Sequence, residues 1–216
     1  MRVVIAGGHG KIALILERLL SSRGDEAVGL IRNPAQSADL EAAGATAVVL
    51  DLESASVAEV ADAVRGADAV VFAAGAGPGS GAARKQTVDR DAAILLADAA
   101  EAAGVDRYVM VSALSADDRS LDENYDEVFR AYMRAKSEAD ADVRARTGLR
   151  ATIVRPGGLT DDAGTGNVTV AESTGRGSIP REDVARVLLA VLHEPETAGR
   201  TFEVISGPTP IEEALR

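Results

Sequence analysis

Apolar and polar positions along this chain alternate between two rhythms. Short, nearly continuous apolar runs at 2–6 (RVVIA), 27–31 (AVGLI), 46–50, 68–73 (DAVVFA), 107–112 (RYVMVS) and 150–155 (RATIVR) predict strands covered on both faces. Between them, apolar residues recur every three or four positions, as on a helix with one face against a core. The first such segment carries Ile12, Ile15, Leu16, Leu19 and Leu20 on one face. Further helices are expected from Asn33-Pro34 onward and over 54–64, 84–103 and 126–147. Past Pro156 the chain is rich in Gly, Thr and Asp, and 158–177 reads as loop. Val184, Val187, Leu188, Val191 and Leu192 then mark an amphipathic helix, and 201–205 a last strand. Strands and helices in this alternation predict an α/β fold: a doubly wound (Rossmann) open parallel sheet with helices on both faces and the first strand central. Residues 1–216 are expected to form one such domain, with a small substrate or lid region around 157–180.

The junction of the first strand and first helix reads Gly7-Gly8-His9-Gly10-Lys11-Ile12-Ala13. The first amides of a helix lack internal partners and sit at the positive end of its dipole, so this junction is a seat for a diphosphate. Gly7 permits the tight turn, Gly10 lets backbone approach a phosphate, and Lys11 and Ile12 open the helix. The side chains of His9 and Lys11 either line the phosphates or are solvated. After the second strand comes Arg32-Asn33, where an NAD site usually places an acid. A guanidinium there suits a 2′-phosphate, which favours NADP over NAD, unless Arg32 is an ordinary surface arginine. Asp51-Leu52 ends the third strand, either against adenine or with Asp51 as a helix cap. Ala73-Ala74-Gly75 ends the fourth in residues small enough for a cofactor to cross, or for tight packing.

Ser112 ends the fifth strand, and the following helix carries Tyr132 and Lys136, four apart and so on one face. With three tyrosines and only Lys11, Lys85 and Lys136 in the chain, about 0.04 such pairs are expected by chance. Tyr132 is either an acid–base group or an aromatic packed between Phe129 and Met133.

Composition narrows the picture. A net charge of −11 repels polyanions, so no nucleic-acid partner is expected. No cysteine and only two histidines, His9 and His193, leave little for a metal site, and none is expected. No run approaches a membrane span or a signal peptide, which makes a cytoplasmic protein with a small-molecule substrate the expectation. Three Phe, three Tyr and no Trp require an aliphatic, alanine-rich core.

Gly7-x-x-Gly10-x-x-Ala13, Arg32-Asn33, Asp51-Leu52, Ala73-Ala74-Gly75, Ser112, Tyr132-x-x-x-Lys136 and Arg155-Pro156-Gly157, in this order, resemble the short-chain dehydrogenase/reductase superfamily. The small size is similar to its atypical branch, the NmrA-like and flavin/biliverdin-reductase-like proteins. The resemblance implies catalytic roles for Ser112, Tyr132 and Lys136. By the same resemblance Lys136 would also hold the nicotinamide ribose, and Pro156 and Gly157 would pass near the nicotinamide. It implies a Tyr132 phenolate stabilised by Lys136 and the oxidised nicotinamide. By the same analogy, helices 84–103 and 126–147 are candidate homodimer surfaces. Two positions depart from the pattern: Leu114 replaces a second Ser or Thr, and Asp89 stands where an asparagine often supports proton relay. Three functions are therefore carried forward. They are an NADP(H)-dependent reductase of a small carbonyl, quinone or flavin-like compound, a non-catalytic NADP(H)-binding sensor, and an NAD-dependent epimerase or dehydratase.

Overall fold

The computed structural model describes residues 1–77, 79–118, 120 and 125–216. Pro78 of the glycine-rich loop, and residues 119 and 121–124 of the acidic stretch 116–126, lie outside the described residues. Strand β1 (Arg2–Ala6) shows why its sequence is apolar from Val3 onward. Val3 and Ile5 face one core, under α1 (Lys11–Ser22) and α7 (Arg181–His193). Val4 and Ala6 face the other, under α3 (Val57–Val64), α5 (Ala92–Ala103) and α6 (Glu127–Ala145). Strands β4 (Ala69–Phe72) and β5 (Arg107–Val111) divide their side chains between the same two cores. Period-two alternation is invisible in such strands because both faces are covered.

The other strands are β2 (Glu26–Ile31), β3 (Thr46–Val49), β6 (Arg150–Pro156), β7 (Gly158–Thr160), β8 (Asn167–Ala171), β9 (Ser178–Pro180), β10 (Thr201–Ser206) and β11 (Thr209–Pro210). The main sheet has nine strands in the order β11-β8-β10-β6-β5-β4-β1-β2-β3. Strands β1 to β6 and β10 run parallel, as a doubly wound sheet requires. The chain winds outward from β1 through β2 and β3, returns to β4, and winds the other way. The reversal beside β1 opens a crevice at the carboxyl ends of β1 and β4, where α/β proteins of this type bind ligands.

Four expectations need correction. The stretch read as loop, 158–177, contains β7 and β8. Strand β7 pairs with β9 in a small parallel sheet, and β8 joins the main sheet antiparallel to β10 and β11. Surrounding Gly and Asp hide β8, and its partner β10 lies some thirty residues further on in the chain. The helix expected over 84–103 is α4 (Ala82–Arg84), a π-helical segment Lys85–Asp91, and α5. Widened turns of this kind gather at functional sites. The helix expected from Asn33-Pro34 is a 3-10 turn, Pro34–Gln36, followed by α2 (Ser37–Ala42). Finally, α3 begins at Val57, held by a reciprocal capping box of Ser56 and Glu59. Asp51 is therefore not that helix's cap, and its carboxylate accepts from Glu53 N–H at 3.0 Å.

Candidate functional site

The turn between β1 and α1 is built from glycine for steric reasons. Gly7 has φ +82°, and a Cβ on it would lie 2.6 Å from Ala74 Cα. A Cβ on Gly8 would lie 2.7 Å from Gly29 Cα. Gly10 N–H donates to Gly7 C=O at 2.8 Å, and Gly10 caps α1 in an extended conformation with no side chain covering the helix's first amides. The turn borders the crevice, and uncapped first-turn amides are the donor set that an anion needs.

Two adjoining cavities flank this turn. The smaller, about 240 Å³, is lined by Gly7 and Gly10, by Arg32, by Asp51 and Leu52, and by Ala73, Ala74 and Gly75. The larger, about 1050 Å³, is lined by Ile12, the same Ala73–Gly75 residues, Ser112, Tyr132, Lys136, Pro156 and Gly157. The shared small residues form the saddle between them. Two cavities joined at an anion seat are the outline of a dinucleotide site. Two expected residues lie elsewhere. Lys11 lines neither cavity and donates to Asp161 at 2.6 Å, and Asn33 accepts from Ala35 N–H at 3.0 Å to cap the 3-10 turn. His9 borders the smaller cavity with its ring between Asp39 (2.7 Å) and Gln36 (3.0 Å).

The smaller cavity also holds residues that the sequence did not single out. Glu53 accepts from both Arg84 and Thr87, and Arg32 reaches the same carboxylate at 3.5 Å. Hydrogen bonding from Arg84, foremost, holds the Glu53 carboxyl below its ordinary range.

In the larger cavity, Lys136 is almost wholly buried. Its ammonium donates to Val111 C=O at 3.0 Å, lies 3.5 Å from Asp89 Oδ1, and sits 5.9 Å from the Tyr132 ring centre. The π-helical segment turns Asp89 inward, where its other oxygen accepts from Ala76 N–H at 3.3 Å. Asp89 thus shares the Lys136 charge. Tyr132 is half-buried, and its phenol is pushed well above the ordinary range by burial first, then by the Asp89 and Asp140 carboxylates. Without a cofactor's positive ring beside it, the site therefore disfavours the phenolate, and Asp89 partly offsets the charge of Lys136.

One further turn along α6 stands Asp140, fully buried and raised in pKa by that burial. One oxygen accepts from Arg155, and the other makes no hydrogen bond. Ser112 Oγ is close enough to draw that pKa down, yet it too makes no hydrogen bond of ordinary geometry. Arg155 continues to Asp117 at 2.7 Å. The signal for Asp140 was its spacing, Tyr132-x-x-x-Lys136-x-x-x-Asp140, one stripe of one helix.

A doubly wound sheet with a glycine turn and a cleft of this shape defines a dinucleotide-binding protein. The chain belongs to the NAD(P)H-binding family, whose model matches residues 7–195. It is 42% identical over 217 residues to a Bacillus subtilis protein described as an uncharacterized sugar epimerase, YhfK, covering 100% of this chain and 99% of the relative. A solved structure from Bacillus halodurans, provisionally named an NAD-dependent epimerase/dehydratase, superposes with TM-score 0.91 at 38% identity, covering 100% and 98% of the two chains. The oxidoreductase ylbE from Lactococcus lactis superposes with TM-score 0.86 at 25% identity over 100% and 95%. Among the described residues, no helix is long and apolar enough to cross a membrane.

Proposed function

We propose that this protein is an NADP(H)-dependent oxidoreductase that reduces a small carbonyl, quinone or flavin-like substrate. The observation that carries the reading is that Ser112, just past β5, and Tyr132 and Lys136, one turn apart on α6, line the cavity that continues from the glycine turn. Gly7, Gly10 and Ile12 would hold the diphosphate, Arg32 the 2′-phosphate, and Asp51 and Leu52 the adenosine. Lys136 would hold the nicotinamide ribose, with Pro156 and Gly157 beside the ring. When bound, the cofactor supplies the hydride.

The residues then divide the remaining work. Ser112, at the wall of the cavity beside Asp140, would donate to the substrate oxygen. Tyr132, protonated at neutral pH as an ordinary phenol is, would protonate this oxygen. Asp89 and Val111 C=O fix the Lys136 ammonium beside the ring.

The names of the similar proteins favour a second reading, an epimerase or dehydratase that retains its nicotinamide. Arg32 argues against it, since that chemistry usually goes with NAD. The test follows NADPH and NADH absorbance across carbonyls, quinones and flavins. NADPH is expected to be consumed in preference to NADH, with kcat lowered about 10²–10⁴-fold in Tyr132→Phe. Tight NADPH binding without turnover on any acceptor would leave a sensor in its place. Conversion of a sugar with no net change in absorbance would establish the epimerase.

A further inference from the structure

Glu53 sits one residue past Leu52, at the rim of the smaller cavity, and is gripped from both sides of the crevice. Arg32 approaches from the end of β2, its Nη1 3.5 Å from Glu53 Oε2. Arg84 and Thr87 approach from the segment after β4. Arg84 donates Nε at 3.3 Å to Oε1 and Nη2 to Oε2, and Thr87 Oγ1 donates to Oε1 at 2.8 Å. Two guanidiniums and a hydroxyl thus converge on one carboxylate, while Asp51 and Asp89 act on Arg84 from further off. A phosphomonoester, with close to two charges and three acceptor oxygens, matches this donor set better in both charge and valence.

We propose that Arg32, Arg84 and Thr87 form a phosphomonoester site and that Glu53 is its internal competitor. The cofactor's 2′-phosphate takes over the three donors as the carboxylate turns toward solvent. This rests on the NADP(H) reading and adds to it the residues that set its strength. A cofactor with a free 2′-hydroxyl leaves the Glu53 pairs in place. One with a 2′-phosphate gains both arginines, less the cost of displacing Glu53 and keeping it near a like charge. Glu53 therefore holds the preference for the phosphorylated cofactor below what the arginines alone would give.

The test measures, by titration calorimetry at fixed ionic strength, the ratio of affinities for 2′,5′-ADP and 5′-AMP. In the unaltered protein 2′,5′-ADP binds more tightly. Glu53→Gln is expected to raise the ratio about tenfold, and Arg84→Gln to lower it about tenfold. Thermal melting of each variant checks the fold. A folded Glu53→Gln whose ratio is unchanged or smaller overturns the competitor, and an unchanged ratio in Arg84→Gln overturns the site. In either case an Arg32→Gln variant that loses 2′,5′-ADP preference keeps the NADP(H) reading intact. If the unaltered protein binds 5′-AMP as tightly as 2′,5′-ADP, the NADP(H) reading fails and this proposal with it.

Discussion

Glu17 shows how far a single residue can depart from its place in the sequence pattern. It lies on α1, wholly buried, with neither carboxylate oxygen hydrogen-bonded. Its Oε1 occupies the space between β2 and the glycine turn, where a Cβ on Gly29 would approach it to 2.6 Å. Burial pushes its pKa from 4.5 up to about 8, against a small lowering by Arg18. The folded protein therefore holds a proton that the unfolded chain releases near 4.5. The associated stability is full below that pH and is lost as pH rises toward 8. Glu17→Gln is expected to remove this loss, so its advantage over the unaltered protein should grow by about 3 kcal/mol between pH 5 and 8. Urea unfolding of both proteins at the two pH values measures it, and an advantage that stays constant with pH refutes the account. In the sequence, Glu17 is one charged residue beside Arg18 on an amphipathic helix. Only contact with β2 shows that it points inward.

At the scale of elements, the β1–α1 turn is set by its glycines more than by any side chain. Gly7→Ala would place a methyl against Ala74 backbone at a positive φ, where an L side chain is strained and the neighbour cannot give way. The expected cost is about 2 kcal/mol or more in denaturant unfolding, with NADPH binding lost in the same variant. Retained NADPH affinity would mean that the cofactor does not use this turn. The requirement was legible because strand, glycine turn and helix are contiguous within some twenty residues. The π-helical segment Lys85–Asp91 was not, since apolar spacing scarcely distinguishes it from an α-helix. Its work also depends on distant partners: Thr87 on Glu53, Asp89 on Lys136, and Lys85 over the Tyr132 ring at 5.3 Å. One short element thus borders both cavities.

Across the whole molecule, Glu203 of β10 ties together segments that share the larger cavity. Almost fully buried, it accepts from Ser115 N–H at 2.8 Å and from Thr174 N–H at 2.7 Å. Ser115 is held at φ 57°, a strained position just past Ser112. Glu203→Gln replaces one acceptor oxygen by a donor and leaves one of these amides without its partner. Stability should fall by about 2 kcal/mol, and the KM of whichever acceptor the protein reduces should rise. A variant with lowered stability but unaltered KM would confine Glu203 to a structural role.

The sequence by itself determined the doubly wound sheet, the glycine turn and the helical spacing of Tyr132 and Lys136. Each is encoded in a short window, by apolar periodicity, by the conformations only glycine adopts, or by the pitch of a helix. Tertiary structure alone decided the partners of the charged groups. Glu53 meets Arg84 across 31 residues and Glu203 meets Ser115 across 88, and Asp89 takes up the charge of Lys136. These pairings decide which groups are neutralised and which pKa values rise. They arise only when separate segments fold against one another, because burial and the nearest opposite charge are properties of the assembled molecule.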